Sequence, residues 1–344
     1  MTVLAELPVP ARAWTAVLDS LSSYQAFQTP RWLECVRAVG GYADATRVYR
    51  AGDGRQLVLP LVRRGSRSAS LPTGWGIGGL LAEGGPVTEA DVELVGADLA
   101  RLGGLGVVVR PDPAQAATWA AALPGSVRRE SRMAQSVPLD GGFDAVWRRF
   151  RGDARNRARR AERAGVVVEC DDNGRLVPLF HELYAASVAR WARRDGIPLP
   201  LARWLSARRE PPAKLATVAG RMATRCRVYA ARVGGRPVAA IVVLVGGRTV
   251  SYWRGAMEET TARSTYATYL LHRAAIKDAA DDGCIAYHMG DSAPGSPLAL
   301  FKSRFGAVEQ HYASYRFEPV AVGRLAGGGR RLLHLAARTR RGRS

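Results

Sequence analysis

Three apolar runs joined by glycine pairs restrict the fold more than any other feature of the chain. CRVYAARV (226–233), PVAAIVVLV (237–245) and TVSYWRG (249–255) are separated by Gly234-Gly235 and Gly246-Gly247. Runs of β-branched and aromatic residues bounded by glycine read as strands of an antiparallel meander. A helical stretch from about Thr265 to Ala280 follows, and then another strand, CIAYHMG (284–290). Strand, helix and strand in that order form a crossover to a parallel neighbour. Meander plus crossover predicts an α/β unit whose sheet mixes strand directions.

The flanking sequence extends the pattern in both directions. Upstream lie an arginine-rich helix, the strand GVVVEC (165–170) and a long helix from Val177 to about Arg194; downstream come a short helix in LALFKSRFG (298–306) and a last strand from Tyr312 to Phe317. The first half runs in a similar order. Helices at Trp14–Leu21 and after Thr29-Pro30 precede the strand-like runs TRVYRAG and QLVLPLVRR, joined by Gly52-Asp53-Gly54. Thr29 suits an N-cap and Pro30 the first helical position. After the glycine-rich LPTGWGIGGLLAEGGP come a helix (Glu89–Leu102), a strand (Leu105–Val109), a helix (Pro113–Leu123) and a strand reaching Val137. We read this as a duplicated α/β unit, a repeat of order rather than of matching residues.

Charge bears on partners. The net charge is +20, which favours anionic ones such as nucleic acid, phosphorylated metabolites or an acidic membrane surface. Eight arginines fall between Arg148 and Arg163, and Arg148, Arg151, Arg155, Arg159 and Arg163 recur at steps of three or four. That spacing predicts one face of one helix, read either as a solvated stripe or as a phosphate-contacting one. The segment 324–344 holds seven arginines and no acid. It reads as a basic flexible tail, or as a short amphipathic helix at an anionic membrane. Only Lys214, Lys277 and Lys302 are lysines, and in a chain that otherwise uses arginine a lysine can mark a place where a compact, rotatable ammonium suits the chemistry better. Cys35, Cys170, Cys226 and Cys284 are scattered, as are the histidines, so neither a metal site nor a disulfide framework is expected. No apolar run is long enough to span a bilayer. The start, MTVLAELPVPARAW, has no basic leader followed by an apolar stretch. The expected location is cytoplasmic, peripheral to the inner face of the membrane if the tail binds there.

Four phrases, FQTPRWLECV, RNRARRAERAGVVVE, YLLHRAAIKDAADDGCIAYHMGD and LFKSRFGA, occur in an order that resembles the GNAT N-acyltransferase superfamily. The likeness is to its twinned branch, which holds the Fem aminoacyltransferases of peptidoglycan cross-bridge synthesis and their acetyltransferase-like relatives. It implies two tandem GNAT-like α/β domains with mixed central sheets, at 1–138 and 139–322, followed by the basic tail 323–344. It also implies transfer of an aminoacyl or acyl group from an activated donor to an amine of a cell-envelope acceptor, with no permanently bound cofactor. One departure bears on the donor. Acetyl-CoA enzymes of this fold carry a glycine-bearing turn whose bare N–H groups cradle pyrophosphate, whereas ARSTYATYLL has Thr265 at the glycine and Ala262 at the leading Arg/Gln. Loss of that cradle fits the Fem branch, whose co-substrate is aminoacyl-tRNA; acyl-CoA is the alternative co-substrate.

Amide formation needs a neutral amine, two reactants in contact and stabilised charge on the carbonyl oxygen. The resemblance matches Lys302 to the family's FK-x-x-FG lysine, implying cationic stabilisation near the reacting carbonyl. Phe301 and Phe305, four apart, anchor one helix face beside it. On this reading Lys302→Ala abolishes transfer with little change in melting temperature. Tyr252 and Trp253 alternate faces, one toward the acceptor cleft and one toward the core; Tyr252 is the candidate substrate-contacting hydroxyl. Asp291, after Gly290 at a strand end, either accepts a proton or caps the next turn. Arg193 and Arg194 are candidates for a substrate phosphate, as are Arg155 and Arg159. No nucleophilic triad is evident, and the resemblance implies direct transfer without a covalent enzyme intermediate. Two rival readings stand beside this one: an acetyl-CoA-dependent N-acetyltransferase acting on an amino sugar or small amine, and a non-enzymatic nucleic-acid or membrane-surface binder on a degenerate fold.

Overall fold

The computed structural model describes residues 3–4, 11–102 and 106–318; the basic tail falls outside them. In the first half the order is β1 (Val3–Leu4), α1 (Ala11–Asp19), α2 (Pro30–Gly40), β2 (Ala43–Asp44), β3 (Arg47–Arg50), β4 (Gln56–Leu59), β5 (Val62–Arg64), β6 (Arg67–Ala69), β7 (Leu81–Ala82), α3 (Glu89–Leu99), β8 (Val107–Val109) and α4 (Ala116–Ala122). Thr29 caps α2 by accepting from the Trp32 N–H, with Pro30 in the first turn. The run QLVLPLVRR divides at Pro60. Its first part, β4, pairs with β3 in a small sheet ordered β1-β3-β4-β7, and its second part, β5, joins the large sheet. A proline has no N–H to carry a ladder across that point.

The second half runs β9 (Arg128–Pro138), α5 (Gly142–Arg149), α6 (Gly152–Arg163), β10 (Val166–Asp171), α7 (Val177–Arg194), α8 (Leu199–Arg209), α9 (Pro212–Met222), β11 (Cys226–Val233), β12 (Arg236–Gly246), β13 (Thr249–Met257), α10 (Glu259–Ser264), α11 (Ala267–Asp281), β14 (Ala286–Asp291), α12 (Pro297–Ser303) and β15 (Val308–Phe317). The glycine pairs close an antiparallel β11–β12–β13 meander, and α11 crosses over to β14, which is parallel to β13. The large sheet is ordered β10-β11-β12-β13-β14-β9-β15-β8-β6-β5-β2. It therefore mixes strand directions and runs without a break through both halves. β9, which lies before residue 139, sits between β14 and β15 in the sheet of the second half.

The stretch of arginines is not one helix. α5 ends at Phe150, the Arg151 N–H donates to the Arg304 carbonyl, and α6 begins afresh. Arg148 is thus on a different helix from Arg155, Arg159 and Arg163. What faces inward from α6 is alanine: Ala154, Ala158 and Ala161 are buried beside α11.

Two cores pack on opposite faces of β11–β13. One, with α11, contains Leu271, Ile276, Tyr287 and Phe305; the other, with α2, α7 and α9, contains Trp32, Trp75, Phe180 and Trp253. Gly246 lets the first half reach this second core. A Cβ there would lie 2.3 Å from the Ala26 nitrogen, so the chain at Tyr24–Ala26 packs directly on the end of β12.

Candidate active site

β13 and β14 form a ladder over only three pairs, Thr249 with Ala286, Val250 with Tyr287, and Ser251 with His288. Beyond them no ladder pairs form, and Gly290 turns β14 through a positive φ of 74°. These are the carboxyl ends of two parallel strands, where α/β sheets collect ligands. α12 braces the end of β14 through Lys302. Ser296 caps this helix by accepting from the Ala299 N–H, with Pro297 in its first turn.

Lys302 projects from α12 and is 2% exposed. Its Nζ donates to the Gly290 and Asp291 carbonyls, each at 2.9 Å. Burial lowers its pKa to about 8, opposed by the Asp291 carboxylate. Phe301, and Phe305 just past the end of α12, belong to an aromatic cluster with Tyr269 and His272. His272 is neutral: burial, and then the nearby Lys302 charge, depress its pKa to about 3. Its Nδ1 meets the Tyr287 hydroxyl at 3.1 Å.

Tyr252 stacks edge-on against His272 at 4.9 Å, which ties it to this cluster, and burial pushes its hydroxyl up to about 12. Asp291 gives its main-chain carbonyl to Lys302, and its side chain is engaged elsewhere. Its carboxylate accepts from the Tyr312 hydroxyl at 2.9 Å and pairs with Arg132 at 3.4 Å.

The arginines expected to bind phosphate do not gather here. Arg155 donates to the Arg148 and Phe150 carbonyls, which closes the end of α5. Arg159 is exposed above Trp147. Arg193 and Arg194 lie at the exposed end of α7, where Arg194 pairs with Asp195. Arg157, Arg160 and Arg304 collect instead at the start of α11. Arg157 and Arg160 lie over the Tyr266 ring, and Arg157 and Arg304 both donate to the Tyr269 hydroxyl. Tyr266 itself occupies the left-handed region, φ 56°, at the point where the helix begins. The three-residue step from Arg157 to Arg160 was available in the sequence, one helix face away from the stripe that was read.

A second buried lysine was also missed. Lys214 is 2% exposed on the opposite face of β13, 4.3 Å above the Trp75 ring. Its Nζ donates to Glu210 and to the Gly74 carbonyl, and Arg254 shares both partners. Burial brings it to about 8 as well. The rarity of lysine in this chain was the signal for it. Beside Lys214, buried Trp253 Nε1 and His181 Nε2 have no hydrogen-bond partner among the described residues. Among the described residues no group of three or more His, Cys, Asp or Glu is arranged to hold a metal, and no helix is long and apolar enough to cross a membrane.

Residues 148–296 match the sequence model of a family described as an acetyltransferase (GNAT) domain. No curated protein matches the chain in sequence. Among solved structures the chain resembles FemX, with a TM-score of 0.62 and 13% identity over 91% of this chain and 97% of that one. A conserved protein of unknown function from Bacteroides thetaiotaomicron gives 0.59 and 10% identity, over 92% and 99%. The C-terminal domain of a putative lysylphosphatidylglycerol synthetase from Agrobacterium fabrum gives 0.53 and 13% identity, over 92% and 93%. At these identities the likeness is one of fold.

Proposed function

Starting from a GNAT domain set in a twinned, Fem-like fold, we propose that this protein is an N-acyltransferase. It moves an acyl group from an activated donor to an amine of a cell-envelope acceptor. The early end of the β13–β14 ladder, at Ser251, is the observation that carries this reading. Beyond Ser251 the inner edge of β13 has no ladder with β14, and an extended, amide-bearing donor arm can hydrogen-bond along it as a strand would. An acyl-CoA has such an arm. Arg157 and Arg160 at the start of α11 offer guanidinium forks to its phosphates. The cradle of bare N–H groups is replaced by side-chain charge.

In this reading Lys302 works through the strand it holds. Two of its three N–H donors are committed to Gly290 and Asp291, which keeps the end of β14 in position and lends it positive field. Tyr252, protonated throughout the working range, donates to the leaving group or to the carbonyl oxygen as charge builds there. Asp291, occupied by Tyr312 and Arg132, orients rather than accepts a proton.

The test is a product assay by mass spectrometry, with acetyl-CoA and bulk aminoacyl-tRNA as separate donors and a nucleotide-linked muropeptide and free amino sugars as acceptors. An acylated amine and free CoA thiol are expected. Tyr252→Phe is expected to lower kcat about a hundredfold with KM and melting temperature held. Product from the tRNA ester alone would move the donor assignment to the ester. No product from either donor, in a protein that still binds RNA in a salt-sensitive way, would replace the enzyme with the binding protein.

A further inference from the structure

The corner between α7 and α8 exposes apolar residues together with positive charge. Not one residue of α8 is buried. Trp204 is 54% exposed, Leu201 47% and Ile197 36%. Of the eight tryptophans in the chain, only Trp204 is exposed. Leu201, Trp204 and Arg208 stand three and four apart, so they share one stripe of the helix. The inner side of α8 leans on α7, where the Ser206 hydroxyl donates to the Tyr184 hydroxyl.

Together with Arg208, the exposed arginines Arg193, Arg194, Arg203 and Arg209 lie on the same two helices. Among the described residues, only Arg194 of these has an acidic partner, Asp195. Two further acids nearby are already paired: Glu210 is turned inward to Lys214 and Arg254, and Glu259 is held by Arg190 and Arg263. The Arg208 guanidinium lies 4.8 Å over the Trp204 ring, so its stem and the indole form one continuous amphipathic surface. An indole and an aliphatic side chain on a helix, a second aliphatic residue in the turn before it, and arginines alongside match the chemistry of a bilayer interface. The ring sits at headgroup level, the aliphatic groups reach the acyl boundary, and the guanidiniums pair with lipid phosphates. Nucleic acid would use the tryptophan and the arginines but has no use for Leu201 and Ile197.

We infer that the α7–α8 corner seats this protein on an anionic lipid surface. The site lies on elements the proposed chemistry does not use, so it can be tested independently of that chemistry. The full-length chain is sedimented with phosphatidylcholine vesicles and with mixed phosphatidylcholine–phosphatidylglycerol vesicles, at low and high salt. Binding to the mixed vesicles only, weakened by salt, is expected. Two full-length variants locate the contact, L201S/W204S and R203Q/R208Q/R209Q. All five positions are exposed, so melting temperatures should match the parent. Each variant is expected to lose at least tenfold in vesicle affinity, and the triple arginine change about a hundredfold. Equal binding to both vesicle types, no binding, or variants that bind like the parent would overturn the proposal; the last result would move the contact to the arginine-rich tail. Variants that lose affinity for bulk tRNA while keeping their vesicle binding would also overturn it, by making this an RNA surface.

Discussion

A lysine enclosed to 2% exposure and bonded to two main-chain carbonyls is part of the architecture as well as a candidate for chemistry. Lys302→Met leaves the Gly290 and Asp291 carbonyls without a donor in a buried place. It should cost about 3 kcal/mol of stability in urea unfolding, and Lys302→Ala, which the motif alone predicts to spare the melting temperature, should lower it for the same reason. The pH dependence has a definite sign. Burial holds Lys302 at about 8 in the folded protein, below its ordinary 10.5. Between those values the unfolded chain binds more protons, and raising the pH through the window favours folding. Parent and Lys302→Met stabilities, compared at several points from pH 7.5 to 10, should diverge as the pH rises; parallel curves would remove this titration from the account. Lys302 was legible because a motif pointed to it. Lys214 was not, since its position over Trp75 joins α9 to the loop at Gly74, a contact between segments far apart in sequence.

At the scale of elements, periodicity located what local sequence controls. α7, α11 and the three meander strands fall where the apolar spacing and the glycine pairs put them. The break between α5 and α6 was hidden, because the partner of the Arg151 N–H is the Arg304 carbonyl, in a segment made much later. For the same reason the sequence did not show that Arg157 and Arg160, rather than Arg155 and Arg159, lie at the start of α11. α12 offers the sharpest test at this scale. It has fewer than three turns, one side-chain cap, and the lysine that braces β14. Ser296→Ala should destabilise the protein by about 1 kcal/mol. If α12 positions β14 for the reaction, it should also reduce turnover more than it weakens substrate binding. A variant with the stability loss but unaltered kcat would separate the brace from the reaction.

At the scale of the whole molecule, two halves read as a duplicated unit share one sheet. Repetition of order announced the halves; nothing in the composition of RRESRMAQSVP announced that it would fill the slot between β14 and β15. A fragment beginning at residue 139 should therefore aggregate, with two strand edges bare. One beginning at residue 128 should give more soluble protein on sedimentation, and equal yields from both would argue that the slot closes without β9. The intact chain should melt in a single transition. The same arrangement fixes a timetable for synthesis. β9 leaves the ribosome long before either of its neighbours, and β15 is among the last described residues to be made. Until then the nascent sheet has a gap at its centre, so it can close only after β15 has emerged, and the growing chain depends on whatever shields its unpaired strand in the meantime.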